Sequence, residues 1–191
     1  LVLGELHVPQ AVIAESKQSG KFMDIVCSLS DAKYALKRYN VYVNDVPLFG
    51  AYGREISGRE QTVRERIELS SGRNKIEVSC MNEHGAESLR PLVTAEHRQP
   101  VKGSLYYIGF GVSRYRNSSL NLKYAAKDAE DLGAVFSRMG RNYAAVRVHT
   151  FTNENCTVAN IRAAKALLKD ARPDDTVVLF IAGHGIHDTD R

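Results

Sequence analysis

Residues 176–188, TVVLFIAGHGIHD, change from apolar to polar within one short segment. After Thr176, five consecutive large apolar residues, 177–181, predict a β-strand buried on both faces. The chain then turns polar at once, and His184 stands between Gly183 and Gly185. Glycines let the backbone turn sharply and leave room beside it. The pattern predicts an interior strand whose end presents a histidine.

The residues before this stretch alternate between strand and helix patterns. LYYIGFGV (105–112) and AAVRVHTF (144–151) are apolar and predict strands. YAAKDAEDLGAVFSRMG (124–140) has apolar residues at helical spacing, and CTVANIRAAKALLKDA (156–171) predicts a second helix capped by Thr157. A β-α-β-α-β order predicts a parallel sheet with right-handed crossovers, whose functional groups gather at the carboxyl ends of the strands.

The first half of the chain has a different pattern, with short runs rich in Val, Ile, Tyr and Thr separated by turn residues. In VRERIEL, Val63, Ile67 and Leu69 lie on one face; Glu65 interrupts that face, so we expect this end near the rim. Several such strands predict a small β-sandwich. The runs are KFMDIVCSLS, NVYVNDVPL, QTVRERIELS and NKIEVSCMN.

The two patterns predict two domains joined by a polar linker. HRQPVKG contains a proline and a glycine and marks the boundary. We therefore expect an all-β sandwich over residues 1–97, a linker over 98–103 and an α/β domain with a mainly parallel sheet over 104–191. Since only three strands are found, we expect this second domain to be incomplete in the chain, with an unpaired sheet edge and exposed apolar surface. Because the chain begins at Leu1 and not at Met, we expect it to be a piece of a longer protein.

Composition excludes several classes of partner. The chain has 43% apolar and 25% charged residues, and its net charge of +4 is spread along the sequence, so we expect no nucleic-acid partner. No apolar run is long enough to span a bilayer and no secretory signal is visible, so we expect a cytoplasmic protein without a membrane partner.

The three cysteines show no CxxC pair and no metal-ligand spacing, and a low odd count favours a reducing compartment. Cys27 and Cys80 fall in predicted strands of the first domain. Two buried free thiols are the favoured interpretation, and a disulfide between facing sheets is the alternative. The third cysteine is Cys156, just before the second predicted helix.

His184 is the candidate for proton transfer, since imidazole titrates near neutral pH. A lone histidine after a strand is also often structural.

Two other kinds of site are not supported by the sequence. GFGVSR has Arg114 where a dinucleotide-binding loop needs its third glycine, which excludes a dinucleotide site. His184, His187 and Asp188 could in principle ligate zinc, but no distant partner motif accompanies them, so we expect no metal site.

Three motifs in order, LYYIGFGVSRY, LNLKYAAKDAEDLGAVF and DDTVVLFIAGHG, resemble the large-subunit region of caspase-like cysteine peptidases, and most of all the bacterial caspase and metacaspase-related branch. The preceding domain resembles, more loosely, an Ig-like sandwich. The resemblance implies a His–Cys endopeptidase in which His184 is the general base and acid and the Gly185 N–H helps to bind the oxyanion. Asp128 matches a position that selects Arg or Lys before the scissile bond; it also fits an exposed carboxylate near a helix start.

The nucleophile of this family follows the histidine by tens of residues, and no such residue is present before Arg191. Cys156 precedes a helix start but lies on the connection before the histidine strand, not after it, so we reject it as the nucleophile.

The expected partners are a downstream fragment of the same protein that carries the cysteine, and a protein or peptide substrate. Arg191 is a candidate self-cleavage site, and a cut by an unrelated trypsin-like protease is the alternative. No cofactor is expected; calcium ligands cannot be assigned. An inactive scaffold that recruits partners through the Ig-like domain is the alternative function.

Overall fold

The structure is a computed structural model that describes residues 7–185. The chain divides into two compact units, Leu1–Pro100 and Val101–Arg191. This division lies inside the segment 98–103, while the domain bounds given above stay predictions. His187, Asp188 and Arg191, which the sequence singled out, lie outside the described residues.

The first unit consists of two antiparallel sheets. One sheet has the strand order β1-β2-β6. The other has the order β4-β3-β7-β8, and β5 pairs with β3. The strands are β1 Gln10–Ser19, β2 Phe22–Ser30, β3 Leu36–Val43, β4 Val46–Pro47, β5 Arg54–Glu55, β6 Glu60–Glu68, β7 Gly72–Asn82 and β8 Leu92–His97.

One hydrophobic core is shared by these two sheets, as the predicted sandwich requires. Alternate residues of the long strands point inward, so each strand contributes every second side chain to the core. The most deeply buried members come from both sheets: Ile25, Cys27, Leu29, Val41, Ile67, Ile76 and Val78. The all-β character of the first half is therefore confirmed.

Glu65 corrects one expectation for this unit. Its side chain points inward and is only 12% exposed, so it does not sit at the rim. It accepts a hydrogen bond from the Tyr39 hydroxyl and pairs with the Arg54 guanidinium at 2.7 Å. A buried carboxylate is tolerated here because both of its partners are supplied by the facing sheet.

The cysteines of this unit are free. Cys27 and Cys80 are both buried and are not joined by a disulfide. Burial raises the pKa of the Cys27 thiol to about 11 and also raises the pKa of Cys80. The favoured interpretation, two buried thiols, is confirmed.

The second unit is built on a three-stranded parallel sheet with the order β10-β9-β11. Its central strand is buried at every position. Three short 3₁₀ turns also occur, Ser118–Leu120, Asn153–Asn155 and Lys165–Leu168. The regular elements are β9 Leu105–Gly111, α1 Ala125–Ser137, β10 Val146–Thr152, α2 Val158–Ala164 and β11 Thr176–Ala182.

The two helices cover opposite faces of this sheet. Tyr107 of β9 donates its hydroxyl hydrogen to the Ala129 carbonyl of α1 at 2.7 Å. Ile108 and Phe110 point the other way and pack against Ala164 at the end of α2. This is the α/β arrangement that the sequence predicts, and Thr157 caps α2 by accepting from the Asn160 N–H.

The prediction that β11 is an interior strand buried on both faces is wrong for the described part of the chain. β11 pairs only with β9 within residues 7–185, and it forms an edge of the sheet. Val177, Leu179 and Ile181 are 46%, 60% and 71% exposed. Leu179 and Ile181 lie beside Ile108 and Phe110, so they belong to the α2 face, and α2 leaves them uncovered.

Within residues 7–185, no helix combines the length and the apolar character needed to cross a bilayer.

Candidate active site

The candidate site lies at the carboxyl ends of β9 and β11, which are neighbours in the sheet. β9 is the central strand. The connection through α1 leads from β9 to β10 on one side of it, and the connection through α2 leads from β10 to β11 on the other side of β9. A sheet opens a crevice at such a reversal of strand order, where α/β proteins bind their ligands. The Val112 N–H donates to the Ala182 carbonyl at 2.9 Å and holds the two strand ends together.

Two residues at the end of β9 fix the start of α1 at this edge. A Cβ at Gly111 would lie 2.4 Å from the Ala125 carbonyl oxygen, so only glycine allows this approach. The Ser113 hydroxyl accepts a hydrogen bond from the Ala126 N–H at 2.9 Å. Because Tyr124, the residue at the N-cap, makes no side-chain cap, Ser113 satisfies a free amide of the first turn from outside the helix.

Two residues of the segment 113–122, which we call the cradle loop, contact His184. The backbone N–H of His184 donates to the Tyr115 hydroxyl oxygen at 2.8 Å, and the two rings lie 5.1 Å apart at 52°. The His184 Nε2 lies 2.8 Å from the Leu120 carbonyl oxygen. His184 is otherwise exposed.

The contact with Leu120 decides which ring nitrogen carries the proton. A carbonyl oxygen only accepts hydrogen bonds, so the Nε2 of His184 must donate. In the neutral ring the lone pair is then on Nδ1, which is the nitrogen free to take a proton. The geometry therefore selects one tautomer and leaves a defined basic nitrogen.

The glycines beside the histidine have different environments. A Cβ at Gly183 would lie 3.1 Å from the Tyr115 hydroxyl oxygen, so glycine eases that contact. Among residues 7–185, a Cβ at Gly185 would meet no heavy atom within 4 Å, so no described side chain crowds this position. Open space next to a base is what an extended substrate needs.

Asp128 lies in the first turn of α1 and its side chain is exposed. Gly111 and Ser113 bring this turn to the same edge of the sheet as His184. The structure thus puts Asp128 on an element that borders the site. A direct contact between Asp128 and His184 is not among the hydrogen bonds or ring contacts of residues 7–185.

Cys156 is placed between the ends of β9 and β10. Its thiol donates to the Phe151 carbonyl at 3.0 Å, and the Gly111 carbonyl oxygen lies 3.7 Å away. Burial raises the pKa of this thiol. A thiol that is half-buried and donates to a carbonyl is held in its protonated form, which is the opposite of what a nucleophile needs.

Three groups at the site were missed by the sequence reasoning: the Tyr115 hydroxyl, the Leu120 carbonyl and Asn153. A backbone carbonyl has no residue signature, so Leu120 could not have been found. Tyr115 offered one weak signal, an aromatic residue in a polar loop directly after a buried strand. Asn153 adopts a positive φ of 48°, a conformation that Asn tolerates better than most residues.

In the part of the chain described here, no cluster of three or more His, Cys, Asp and Glu side chains is arranged to hold a metal ion. The His184 ring is hydrogen-bonded to the cradle loop. His187 and Asp188, which the sequence offered as further zinc ligands, lie outside the described residues.

Residues 108–190 match the family model described as "Caspase domain". The second unit is similar to a caspase domain. The match covers less than half of the chain and lies entirely in this unit, and it includes Asp128, His184 and Gly185. The parallel sheet with helices on both faces is compatible with this similarity.

No curated protein matches the chain. Among solved structures, fibronectin(III)-like modules of Clostridium thermocellum CbhA are 18% identical, with a TM-score of 0.40 over 49% of this chain and 48% of theirs. The chain thus spans about half the length of that structure. A polysaccharide deacetylase from Bacillus cereus is 14% identical, with a TM-score of 0.26 over 90% of this chain and 60% of the deacetylase.

Proposed function

We propose that the protein is a caspase-like cysteine endopeptidase in which His184 is the general base and acid. The observation that carries this proposal is the hydrogen bond from the His184 Nε2 to the Leu120 carbonyl, which leaves Nδ1 basic. A cysteine thiol transfers its proton to Nδ1, and the thiolate attacks the substrate carbonyl carbon. The imidazolium then protonates the leaving amine as the peptide bond breaks, which leaves the acyl group on the cysteine as a thioester. Water that gives a proton to Nδ1 attacks this thioester, the carboxylic acid product leaves, and the proton returns to the cysteine sulfur.

The nucleophilic cysteine in this proposal lies on a segment that follows Arg191. The three cysteines of the chain are poor candidates, because burial raises the pKa of each thiol. The exposed edge of β11 supports such a segment. Its uncovered apolar side chains Val177, Leu179 and Ile181 would be covered if further polypeptide continued the sheet.

We propose further roles for two predicted site residues. The backbone N–H of Gly185 would donate to the oxyanion that forms in the tetrahedral intermediate, and the open space around Gly185 supports substrate access there. The Asp128 carboxylate would bind an Arg or Lys side chain before the scissile bond. Cleavage of the protein's own chain after Arg191 would fit this preference.

The first unit, in this proposal, is an Ig-like domain. Its support is the arrangement of two antiparallel sheets around a single core. The proposed place in the bacterial caspase and metacaspase-related branch rests on the sequence motifs, and the proposed cytoplasmic location rests on the low, odd number of cysteines.

The test is a peptidase assay on protein extended beyond Arg191, with fluorogenic peptides that end in Arg, Lys or Asp. We expect cleavage after Arg and Lys, loss of activity in His184→Ala, and a selective loss for basic peptides in Asp128→Asn. Asp131→Asn, on the exposed side of the same helix, is the matched control. Absence of cleavage in the folded wild type would favour the inactive scaffold, and full activity in His184→Ala would exclude His184 as the base.

A further inference from the structure

Two side chains that follow β10 anchor the start of the cradle loop: Asn153 binds its backbone, and the Glu154 carboxylate binds the exposed Arg114 guanidinium at 2.8 Å. The Asn153 Oδ1 accepts the backbone N–H of Ser113 at 2.9 Å and that of Arg114 at 3.0 Å. Asn153 makes these two bonds from a backbone with a positive φ of 48°. An unfavourable conformation that persists shows that the surrounding contacts determine it.

The same loop is closed on itself. The Tyr115 N–H donates to the Asn121 Oδ1 at 2.8 Å, and the Leu122 N–H donates to the Ser113 carbonyl at 2.9 Å. Tyr115 and Leu120, the two residues that bond to His184, therefore lie inside one closed turn of chain. A displacement of the start of this loop would move both partners of the histidine together.

We infer that Tyr115 is a positioning residue for the His184 imidazole, and that Asn153 holds Tyr115 in place. Tyr115 acts at two points, because its hydroxyl oxygen accepts the His184 N–H and its ring lies against the imidazole. The first contact fixes the backbone that carries the histidine, and the second limits the rotation of its ring. Both keep the Nε2 directed at the Leu120 carbonyl.

A purely structural role of Tyr115 and Asn153 would give a different experimental result. If Tyr115 and Asn153 only stabilised the fold, their variants would lower stability without changing the state of the imidazole. If they position the ring, their variants change which nitrogen carries the proton in a protein that stays folded. The inference rests on the proposed function for its biological meaning, but its physical content is measured on this chain without any substrate.

The chain offers closely matched variants. Tyr115→Phe keeps the ring and removes only the hydroxyl acceptor. Asn153→Ala removes the acceptor for two amides, while Asn153→Asp keeps an acceptor oxygen of the same reach and tolerates the positive φ. Arg116→Gln, in the same loop and exposed, is the control that touches neither contact.

The experiment measures hydrogen exchange of the His184 amide and the ¹⁵N shifts of its ring in each folded variant. Tyr115→Phe removes one hydrogen bond, so we expect exchange to accelerate about tenfold and the preference for the Nε2–H tautomer to weaken. Asn153→Ala should act in the same direction, and Asn153→Asp and Arg116→Gln should resemble wild type. Because the two residues act in series, the double variant should change no more than the larger single change.

Unchanged ring shifts and unchanged exchange in folded Tyr115→Phe would overturn the inference. Additive effects of the two variants would overturn the role of Asn153 as the support of Tyr115. Peptidase activity gives a separate result: Tyr115→Phe in the extended protein should lower kcat and leave KM unchanged. An inactive wild type with the expected shifts would reject the proposed function and retain the positioning role.

Discussion

Gly111 and Ala126 lie so close together that a Cβ at position 111 would come within 2.7 Å of the Ala126 Cα. This contact joins the central strand of the second unit to the first turn of α1. It brings that turn, with Asp128, to the edge of the sheet where His184 lies. The shape of the candidate site therefore depends on a missing side chain at one position of β9.

Gly111→Ala should destabilise the second unit by about 1–3 kcal/mol, because the added methyl group meets backbone atoms that cannot move aside cheaply. Gly140→Ala is the matched control, since a Cβ there meets nothing within 4 Å. Chemical denaturation followed by far-UV circular dichroism measures the difference. Equal stability of the two variants would show that α1 docks in another way.

The thiols should react in a fixed order. Cys27 and Cys80 are buried, and the pKa of Cys27 is raised to about 11, so both should resist a thiol reagent in the native protein near pH 8. Cys156 is half-buried and should react first, though slowly. Intact mass after timed labelling, with and without denaturant, checks this order; early modification of Cys27 would contradict the burial described here.

Cys156→Ala should leave peptidase activity of the extended protein nearly unchanged. Its thiol is held protonated by burial and by donation to the Phe151 carbonyl, so it lacks the character of a nucleophile. The kcat/KM for a basic fluorogenic peptide is the measurement. A loss as large as that in His184→Ala would identify Cys156 as the nucleophile and refute the downstream cysteine.

Asp31 should make the first unit sensitive to acid. Burial alone would raise the pKa of its carboxyl group, but hydrogen bonds from the Tyr34 N–H, the Asn82 amide and the Lys33 N–H lower the pKa from 3.8 to about 2. The folded state thus binds this proton more weakly than the unfolded state. The resulting stabilisation is complete above about pH 4 and is lost as the pH falls toward 2.

The loss should amount to about 1–2 kcal/mol between pH 4 and pH 2. Asp31→Asn should be less stable at neutral pH and should show a flatter dependence in that interval. Urea denaturation at a series of pH values gives both quantities. Parallel curves for wild type and variant would mean that another group carries the acid sensitivity.

The apolar face of β11 should respond differently in two forms of the protein. In the chain ending at Arg191, Leu179→Thr should change stability by less than about 0.5 kcal/mol, because the side chain is 60% exposed. In the extended protein, where we propose that further polypeptide covers this face, the same change should cost more than about 1 kcal/mol. Val178→Thr, on the opposite face of the strand, is the comparison. An equally small cost in both forms would reject the proposed continuation of the sheet.

Much of the fold could be predicted from the sequence, because its helices and strands follow from the local spacing of apolar residues. The alternation around Ile67 predicted an inward face, and the helical spacing after β9 predicted α1. The error at β11 has a physical reason: an apolar run reports which residues avoid water, but not whether a neighbouring element is present to cover them. Ile181 is apolar enough for a core and is 71% exposed in the described part of the chain.

The candidate site could be predicted from the sequence only in part. His184 stood out because two glycines and a strand end surround it, and its exposure at a sheet edge agrees with that interpretation. The Leu120 carbonyl could not be predicted, because every residue has a carbonyl and only the fold brings this one to the imidazole. Asn153 and Ser113 are 40 residues apart, and no local pattern links two residues at such a separation.

The proposed mechanism requires His184 to activate a cysteine located beyond Arg191. The most direct measurement is covalent labelling of the extended protein with an Arg-ending peptidyl acyloxymethyl ketone, followed by mass spectrometric mapping of the modified residue. We expect one modified cysteine after residue 191, with labelling abolished in His184→Ala and retained in Cys156→Ala. Labelling of Cys156, or labelling that persists without His184, would refute the proposed role of His184.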